Sequence, residues 1–418
     1  MRLRRLVNQP GWYEVMSHCP ICGHKGWCAI DEDQSTVRCM RIPSDDYFDS
    51  KMGRQFKHIL DPDKVNKTKI EIIQSNAVDK KPDFHLNRVY RAMMHELYLS
   101  NFHFQHLRKD RHFTDDVIRT RGYRTLPTED RFKVAKRLIS RLDDQSDLLG
   151  TPGFFVNEGR YGPYWTMAGG SGLMIPFRNI NNEINGWQIR VDRPPLELDM
   201  EGAITGEILD ELDPTETGYR RAKCEIVIGG IKKMEVILTE KEEKVCMSKS
   251  GQFVFRIELK QGQRYWWWSS GSKDNGSSIG NPLPYHFSLP SVCMPHWIVG
   301  DTPDHIIDCS EVWVTEGPIK ADKGADALLK PFIGLPGVGA YTLILEPLKK
   351  LGCKHVVIAF DADVVTTPEV ERALMLCAEF FAENSNMSLS LAMWDISQGK
   401  GIDDLTDRGL VPQVTKIL

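Results

Sequence analysis

The sequence predicts an α/β protein in three parts: a small cysteine-bearing ribbon at the N-terminus, a mixed α+β middle region, and a C-terminal parallel sheet of Rossmann-like type. Three observations predict it. Four of the ten cysteines crowd into residues 19–39. Between residues 84 and 300, helical periodicity gives way to alternating strand-like runs. From residue 311 onward, strand and helix patterns alternate regularly, which implies parallel strands covered by helices on both faces.

Composition sets the outer bounds. At 418 residues the chain is long enough for two or three domains, and 41% apolar with 26% charged residues is ordinary for a globular protein. The net charge of −4 does not announce a nucleic-acid binder. The basic start "MRLRRLVNQPGWYEV" is followed by no apolar run, so no signal peptide is expected. No stretch approaches the length of a membrane span, so the expected location is cytoplasmic, with no membrane partner. Charge is uneven. Residues 85–145 hold 13 Lys/Arg against 8 Asp/Glu, whereas residues 311–418 hold 10 against 15. A basic middle and an acidic end suit a nucleic acid held by one part and metal ions held by the other; they also suit solvated helix faces.

Residues 1–60 are read as a zinc-ribbon domain. Cys19 and Cys22 form a C-x-x-C knuckle that presents two thiolates to one ion. "WCAI" and "TVRCM" read as strands joined by the polar turn "DEDQS", and as a hairpin they bring Cys28 and Cys39 together opposite the knuckle. Four thiolates suit a closed, structural Zn²⁺ site, with His24 as the alternative to Cys28. A domain this small needs the metal to fold. Without a secretion signal, the other six cysteines are expected as reduced, buried thiols.

Residues 61–83 are polar and read as a linker. Residues 84–150 read as a helical segment. "FHLNRVYRAMMHELYLSNFHFQHLRK" has Val89, Met93 and Leu97 on one face, a second helix starts after Thr114 as N-cap, and "TEDRFKVAKRLISRL" makes a third. Arg88, Arg91, Arg108, Arg119, Arg121 and Arg124 are candidates for a basic face. Residues 151–300 read as α+β, with a β-rich insertion at about 200–263. "GLMIPF" and "INGWQIRV" form a hairpin. In "RYWWWSS" one face of the three tryptophans is expected in the core, and the other is available to stack bases. The Gly/Ser/Asn loop 269–281 has backbone N–H groups that could face phosphate.

Residues 301–418 carry the chemistry. The strand "EVWVT" stops at Glu316-Gly317, and a helix starts at Pro318. "HVVIAF" ends at Asp361-Ala362-Asp363, and the next helix starts at Pro368 behind Thr367 as N-cap. Ligands of such sheets lie at the carboxyl ends of the strands. Glu316, Asp361 and Asp363 brought together there repel one another unless a cation neutralises them, and hard oxygen ligands suit Mg²⁺ or Mn²⁺. Phosphoryl or phosphodiester chemistry follows from such an ion. No G-x-x-x-x-G-K-[ST] run is present, so no P-loop ATPase is read.

"VTEGPIKA", "VVIAFDAD" and "KGIDDL" together resemble a Toprim domain, the catalytic fold shared by bacterial-type primases, topoisomerases and some nucleases. The order of cysteine ribbon, helical segment, "GLMIPF…INGWQIR", "RYWWWSS" and Toprim pattern resembles bacterial-type DNA primases, most of all the Toprim primase-like proteins of phages, plasmids and integrative elements. The resemblance implies RNA-primer synthesis on a single-stranded DNA template from NTPs. It implies Mg²⁺ on Glu316, Asp361 and Asp363, with Asp403 or Asp404 supporting a further ion, and Arg190, Arg264 and Tyr265 lining the template or nucleotide path. No ATPase or helicase-docking tail follows the Toprim pattern, so a replicative helicase is expected as a separate chain.

The chain departs from that pattern twice. Lys320 stands where cellular primases carry an Asp, and their Asp-Pro-Asp-Asp becomes Gly401-Ile402-Asp403-Asp404, with Lys400 just before it. A lysine can neutralise a phosphate where a second ion would sit, which leaves the number of metals open. Two rival functions use the same residues differently: a Toprim metal-dependent nuclease, and a non-catalytic zinc-ribbon DNA-binding replication factor. A topoisomerase has no room for its strand-passage parts.

Overall fold

In the computed structural model, β-branched and aromatic runs near the C-terminus form one six-stranded sheet. Its order is His286–Ser288, Phe332–Leu335, Glu311–Glu316, His355–Ile358, Ser388–Met393 and Gln413–Lys416. The four inner strands are parallel, and both edge strands are antiparallel. The structure describes all residues except 1, 7, 8, 10, 24–26, 51, 52, 61–70, 74–76, 143, 231, 249, 281 and 363–367, and except the side chains of 49, 50, 53, 71–73 and 368–370.

Alternation along these strands sorts side chains to two faces. Val312, Val314, Val356, Ile358 and Leu389 pack on one face with Tyr341, Leu348 and Phe381. Trp313, Phe332, Val357 and Ala392 pack on the other with Ala321 and Ala325. Helices therefore cover both faces, as expected for parallel strands buried on each side. The sharp exit after Glu316 depends on glycine: Gly317 has φ 83°. A Cβ on Gly334 of the neighbouring strand would stand 2.5 Å from the Gly317 carbonyl oxygen.

The long apolar periodicity after residue 83 yields two helices, not one. The first spans Asp83–Glu96, and Leu97 turns extended. Tyr98 and Ser100 leave the helix to bond the short strand Arg124–Leu126: Thr125 N donates to Tyr98 O at 2.9 Å, and Ser100 N to Thr125 Oγ1 at 2.8 Å. Ser100 then caps the next helix, Asn101–Gln105. Thr114 caps Asp115–Arg121 as the sequence suggests, and Arg131–Leu142 is the last helix of the segment. Each of the six arginines proposed as a basic face has a partner within the chain. Arg88 pairs with Asp147, Arg108 with Asp115, Arg119 with Asp116 and Arg121 with Asp322 and Asp326, while Arg91 donates to Asn182 and Arg124 to Met94 O.

The hairpin Gly172–Arg178 and Ile184–Val191 lies in a four-stranded sheet with Arg124–Leu126 and Tyr265–Trp267. Trp268 is fully buried, and Trp267 packs on Phe177. The loop after it spends N–H groups on itself: Ser270 N donates to Ser277 O at 3.0 Å and Gly276 N to Lys273 O at 3.1 Å, which removes them from a phosphate cradle.

At the N-terminus a seven-stranded sheet carries the cysteine hairpin. One of its strands, Glu71–Ile73, lies inside the stretch read as a linker and pairs parallel to Arg2–Arg5. Further along that stretch, Val78 N donates to Gly276 O at 2.9 Å and Lys81 N to Gly150 O at 2.9 Å, so it is tied to the core. The strand Gly53–Ile59 of this module meets the segment Val338–Ile344, where Arg54 stacks over Tyr47 at 3.8 Å and reaches Phe380 at 5.9 Å.

The chain divides into two units, residues 1–188 with 267–418, and residues 189–266. The second unit holds two three-stranded antiparallel sheets that share a core including Ala222, Cys224, Leu238, Ile257 and Leu259. Among the described residues, no helix is long and apolar enough to cross a membrane.

A buried carboxylate locks the first unit. Asp322 is 1% exposed and accepts from Tyr123 Oη at 2.6 Å, Ser288 Oγ at 2.7 Å and His286 Nε2 at 3.0 Å, and it pairs with Arg121 at 2.7 Å. Burial alone would raise its pKa, but Arg121 and His286 outweigh that and hold it well below the usual carboxylate range. Asp322→Ala leaves Arg121 buried without its main partner, and a loss of about 3–5 kcal/mol is expected in urea unfolding at pH 7. Because the folded pKa is depressed, wild type holds this contribution above the unfolded value near ~4 and loses it as pH falls further, whereas the variant has none to lose.

Candidate active site and metal centre

Two clusters of candidate residues lie in the first unit. The N-terminal one is a four-cysteine site. Cys19 and Cys22 sit on the knuckle, Cys28 just before the strand Ala29–Asp31, and Cys39 at the end of Thr36–Cys39. Asp31 closes the intervening turn by accepting from Ser35 N at 2.8 Å and Thr36 N at 3.0 Å. All four sulfurs lie within 4.8 Å of one another. Cys22 and Cys28 sulfurs are 3.8 Å apart, and Cys28 and Cys39 sulfurs 3.9 Å. A tetrahedron with zinc–sulfur bonds of about 2.3 Å has edges of about 3.8 Å, so the donor set fits zinc. Backbone N–H groups of Arg41 and Ile42 point at the Cys39 sulfur at 3.4 and 3.3 Å, as a thiolate requires. Contact with Cys28, then Cys39, pulls the Cys19 thiol down, while contact with Cys19 pushes Cys28 and Cys39 up. His24, the alternative ligand, lies outside the described residues.

The second cluster forms where the parallel strands end. Glu316 closes the strand Glu311–Glu316, in register with Leu335, and is half-buried. The adjacent strand His355–Ile358 runs parallel to it and leads to Asp361. Both carboxylates thus stand at the carboxyl edge of neighbouring strands. Asp363 and Thr367 lie outside the described residues. Lys320, in the first turn of the helix Pro318–Leu328, pairs with Asp361 Oδ1. Lys400 Nζ stands 4.0 Å from Asp361 Oδ2, and Ala362 N donates to Lys400 O at 2.8 Å, which ties the two loops together.

Asp403 and Asp404 behave differently. Asp404 is exposed and accepts from the backbone N–H of Lys400 at 3.1 Å and Gly401 at 3.2 Å, so it shapes the loop. Asp403 is 4% exposed and pairs with Arg111 Nη1 at 3.2 Å. Burial pushes its carboxyl up, Lys320 and Arg111 pull the other way, and Asp404 adds to the rise. Asp403 Oδ1 and Arg111 Nε are both buried with no hydrogen-bond partner among the described residues. Gly401 makes this crowding possible, because a Cβ there would stand 2.3 Å from Asp403 Oδ1 and 2.9 Å from Lys320 Cε.

Arg111 was not among the residues singled out in the sequence. It sits in "HLRKDRHF", where nothing separates it from its charged neighbours; only the fold brings it to a carboxylate 292 residues away. Arg190, Arg264 and Tyr265 belong to the second unit. There the backbone joins them, with Val191 N donating to Arg264 O at 2.9 Å, and Arg190 and Arg264 line one cleft.

No protein-family model matches the chain, and no curated protein matches it. Among solved structures it is similar to the zinc-binding and RNA polymerase domains of the Aquifex aeolicus primase, at 9% identity and a TM-score of 0.45, covering 98% of this chain and 77% of that one. It is also similar to the RNA polymerase domain of the Mycobacterium tuberculosis primase DnaG, at 13% identity and a TM-score of 0.44, covering 79% and 84%. A DnaG primase catalytic domain bound to ssDNA matches at 10% identity and a TM-score of 0.43, covering 79% and 80%.

The cysteine geometry predicts one zinc per chain by atomic absorption. Cys28→Ser and Cys39→Ser are each expected to release it and unfold the N-terminal module, whereas His24→Ala keeps it. Full zinc retention in Cys28→Ser with loss in His24→Ala would reverse the assignment.

Proposed function

We propose that this chain is a DNA primase of a mobile element or phage, which makes short RNA primers on single-stranded DNA by metal-dependent nucleotidyl transfer. The observation that carries the reading is the pairing of a four-cysteine ribbon with a parallel sheet in one chain, with Glu316 and Asp361 at the carboxyl edge of neighbouring strands. Strand-end carboxylates of this kind are hard oxygen donors, and they fit Mg²⁺ or Mn²⁺. Glu316 and Asp361, with Asp363, would hold the ion, which when bound supplies charge neutralisation to the nucleotide phosphates and a more acidic primer 3′-hydroxyl.

The chain's own residues do the rest. Lys320 and Lys400 flank Asp361 and offer two cations to the triphosphate of the incoming nucleotide. Three cations, Lys320, Lys400 and Arg111, stand among Glu316, Asp361, Asp403 and Asp404, a balance that favours few metal ions over several. Asp404 fixes the loop that carries Lys400. Arg190, Arg264 and Tyr265 would line the template or nucleotide path, the zinc ribbon would help choose the initiation site, and a separate helicase would deliver the template.

The test is primer synthesis on single-stranded DNA with NTPs and Mg²⁺ or Mn²⁺. Asp361→Asn is expected to lower it by on the order of 100-fold or more, with the fold intact by circular dichroism. An Asp361→Asn protein with full activity would overturn the assigned site. The Lys320–Asp361 ion pair favours one second reading, a non-catalytic DNA-binding replication factor in which lysine replaces the ion. On the primase reading Lys320→Ala weakens NTP use; on the second reading neither protein makes primers and DNA binding is unchanged.

A further inference from the structure

The β-rich segment near residues 200–263 has no role in the reading above. In the second unit, however, it closes a cleft of about 180 Å³ lined by Arg190, Asp192, Arg193, Arg220, Gln261 and Arg264, among others. Arg190, Arg193 and Arg264 come from the flanks of the insertion, and Arg220 and Gln261 from the insertion itself. The backbone holds them together: Gly262 N donates to Pro195 O at 2.8 Å, and Arg220 Nη1 to Pro194 O at 2.6 Å.

Four guanidiniums face one cleft carboxylate, Asp192, and one neighbour, Glu211. Glu211 binds Arg193 at 2.7 Å and Arg220 at 2.6 Å through the same oxygen. Arg264 Nη2 donates to a neutral acceptor in the cleft, Gln261 Oε1, at 2.5 Å. Arg190 Nε is buried without a hydrogen-bond partner among the described residues. Planar guanidinium forks suit phosphate oxygens. The phosphate-binding groups of the cleft are the guanidiniums themselves. Diester phosphates of a polynucleotide carry one charge each, so single guanidiniums from separate stretches of chain match them one to one, whereas a triphosphate concentrates its charge. Trp266, two residues from Arg264, is 40% exposed and offers a ring face for a base.

We propose that the insertion, through Arg220, and its flank, through Arg193, build a binding cleft for the phosphate backbone of a single-stranded nucleic acid, with Glu211 as the internal anion that the strand displaces. It deepens the primase reading, and rests on that reading for the identity of the strand as template.

The experiment is fluorescence anisotropy of a labelled oligodeoxythymidylate with the full chain at several salt concentrations. The Arg193→Ala/Arg220→Ala protein is expected to bind at least about 10-fold more weakly, with the log–log salt slope shallower by about 1–2. Glu211→Gln is expected to tighten binding, an effect that damage to the module would not give. Unchanged affinity and slope in the double variant, or weaker binding in Glu211→Gln, would overturn the proposal. So would displacement of the oligonucleotide by inorganic triphosphate well below the ionic strength at which NaCl displaces it, which would assign the cleft to a free polyphosphate. Wild type that binds through these arginines but makes no primers sinks the primase reading and leaves the cleft standing; priming with a double variant that binds normally sinks the cleft alone.

Discussion

A carboxylate sealed from water must be satisfied by the fold or expelled from it. Asp322, on the helix Pro318–Leu328, is satisfied by donors from two other stretches: Arg121 and Tyr123 at the end of the helix Asp115–Arg121, and His286 and Ser288 on the edge strand. These groups cannot be met one at a time, because each leaves buried charge behind until the others arrive. The cluster therefore fixes the rotation of the helix Pro318–Leu328. Residues advance by about 100° along a helix, so Lys320, two positions earlier, points away from the cluster by roughly 200°. One face of the helix is locked into the middle region, and the other holds Lys320 against Asp361. The same pattern recurs nearby, where Lys323 and His112 both reach Asp407. Placement of the strand-end site is thus a consequence of ion pairs buried behind it.

What the sequence made legible was local. Short apolar runs alternating with helix patterns marked the four parallel strands, and C-x-x-C with a hairpin located the sulfurs, because both signals are carried by neighbouring residues. Three features were illegible for one shared reason, long-range hydrogen bonding. The helix break at Tyr98–Ser100 depends on Thr125, and the strand Glu71–Ile73 depends on pairing with Arg2–Arg5. The edge strands His286–Ser288 and Gln413–Lys416 are too short to show periodicity without their partners. The arginines of residues 88–124 divide for a related reason. A sequence gives their charge but not the distant Asp147, Asn182 or Asp322 that engage Arg88, Arg91 and Arg121, whereas Arg108 and Arg119 stay at the surface beside nearby aspartates. In the second unit the resemblance pointed to Arg190 and Arg264, but Arg193 and Arg220, in or beside the stretch read as β-rich, share their cleft only through the fold.

Lys320 carries the remaining argument. Exchanging a carboxylate for a lysine moves the local charge by two, as much as removing one divalent ion. Asp361 is partly buried, with 14% of its side chain exposed, so its pair with Lys320 is screened less than a surface pair. An ion that binds Asp361 must displace that lysine. A nucleotide that brings its own Mg²⁺ offers the displaced ammonium a new partner, its phosphates, in the same event. An ion arriving alone offers none. On the primase reading, metal and nucleotide therefore bind cooperatively, and linkage requires the effect to be equal in both directions. The departure from the family pattern then becomes a coupling device: the lysine holds the carboxylate neutralised until a substrate is present to take its place.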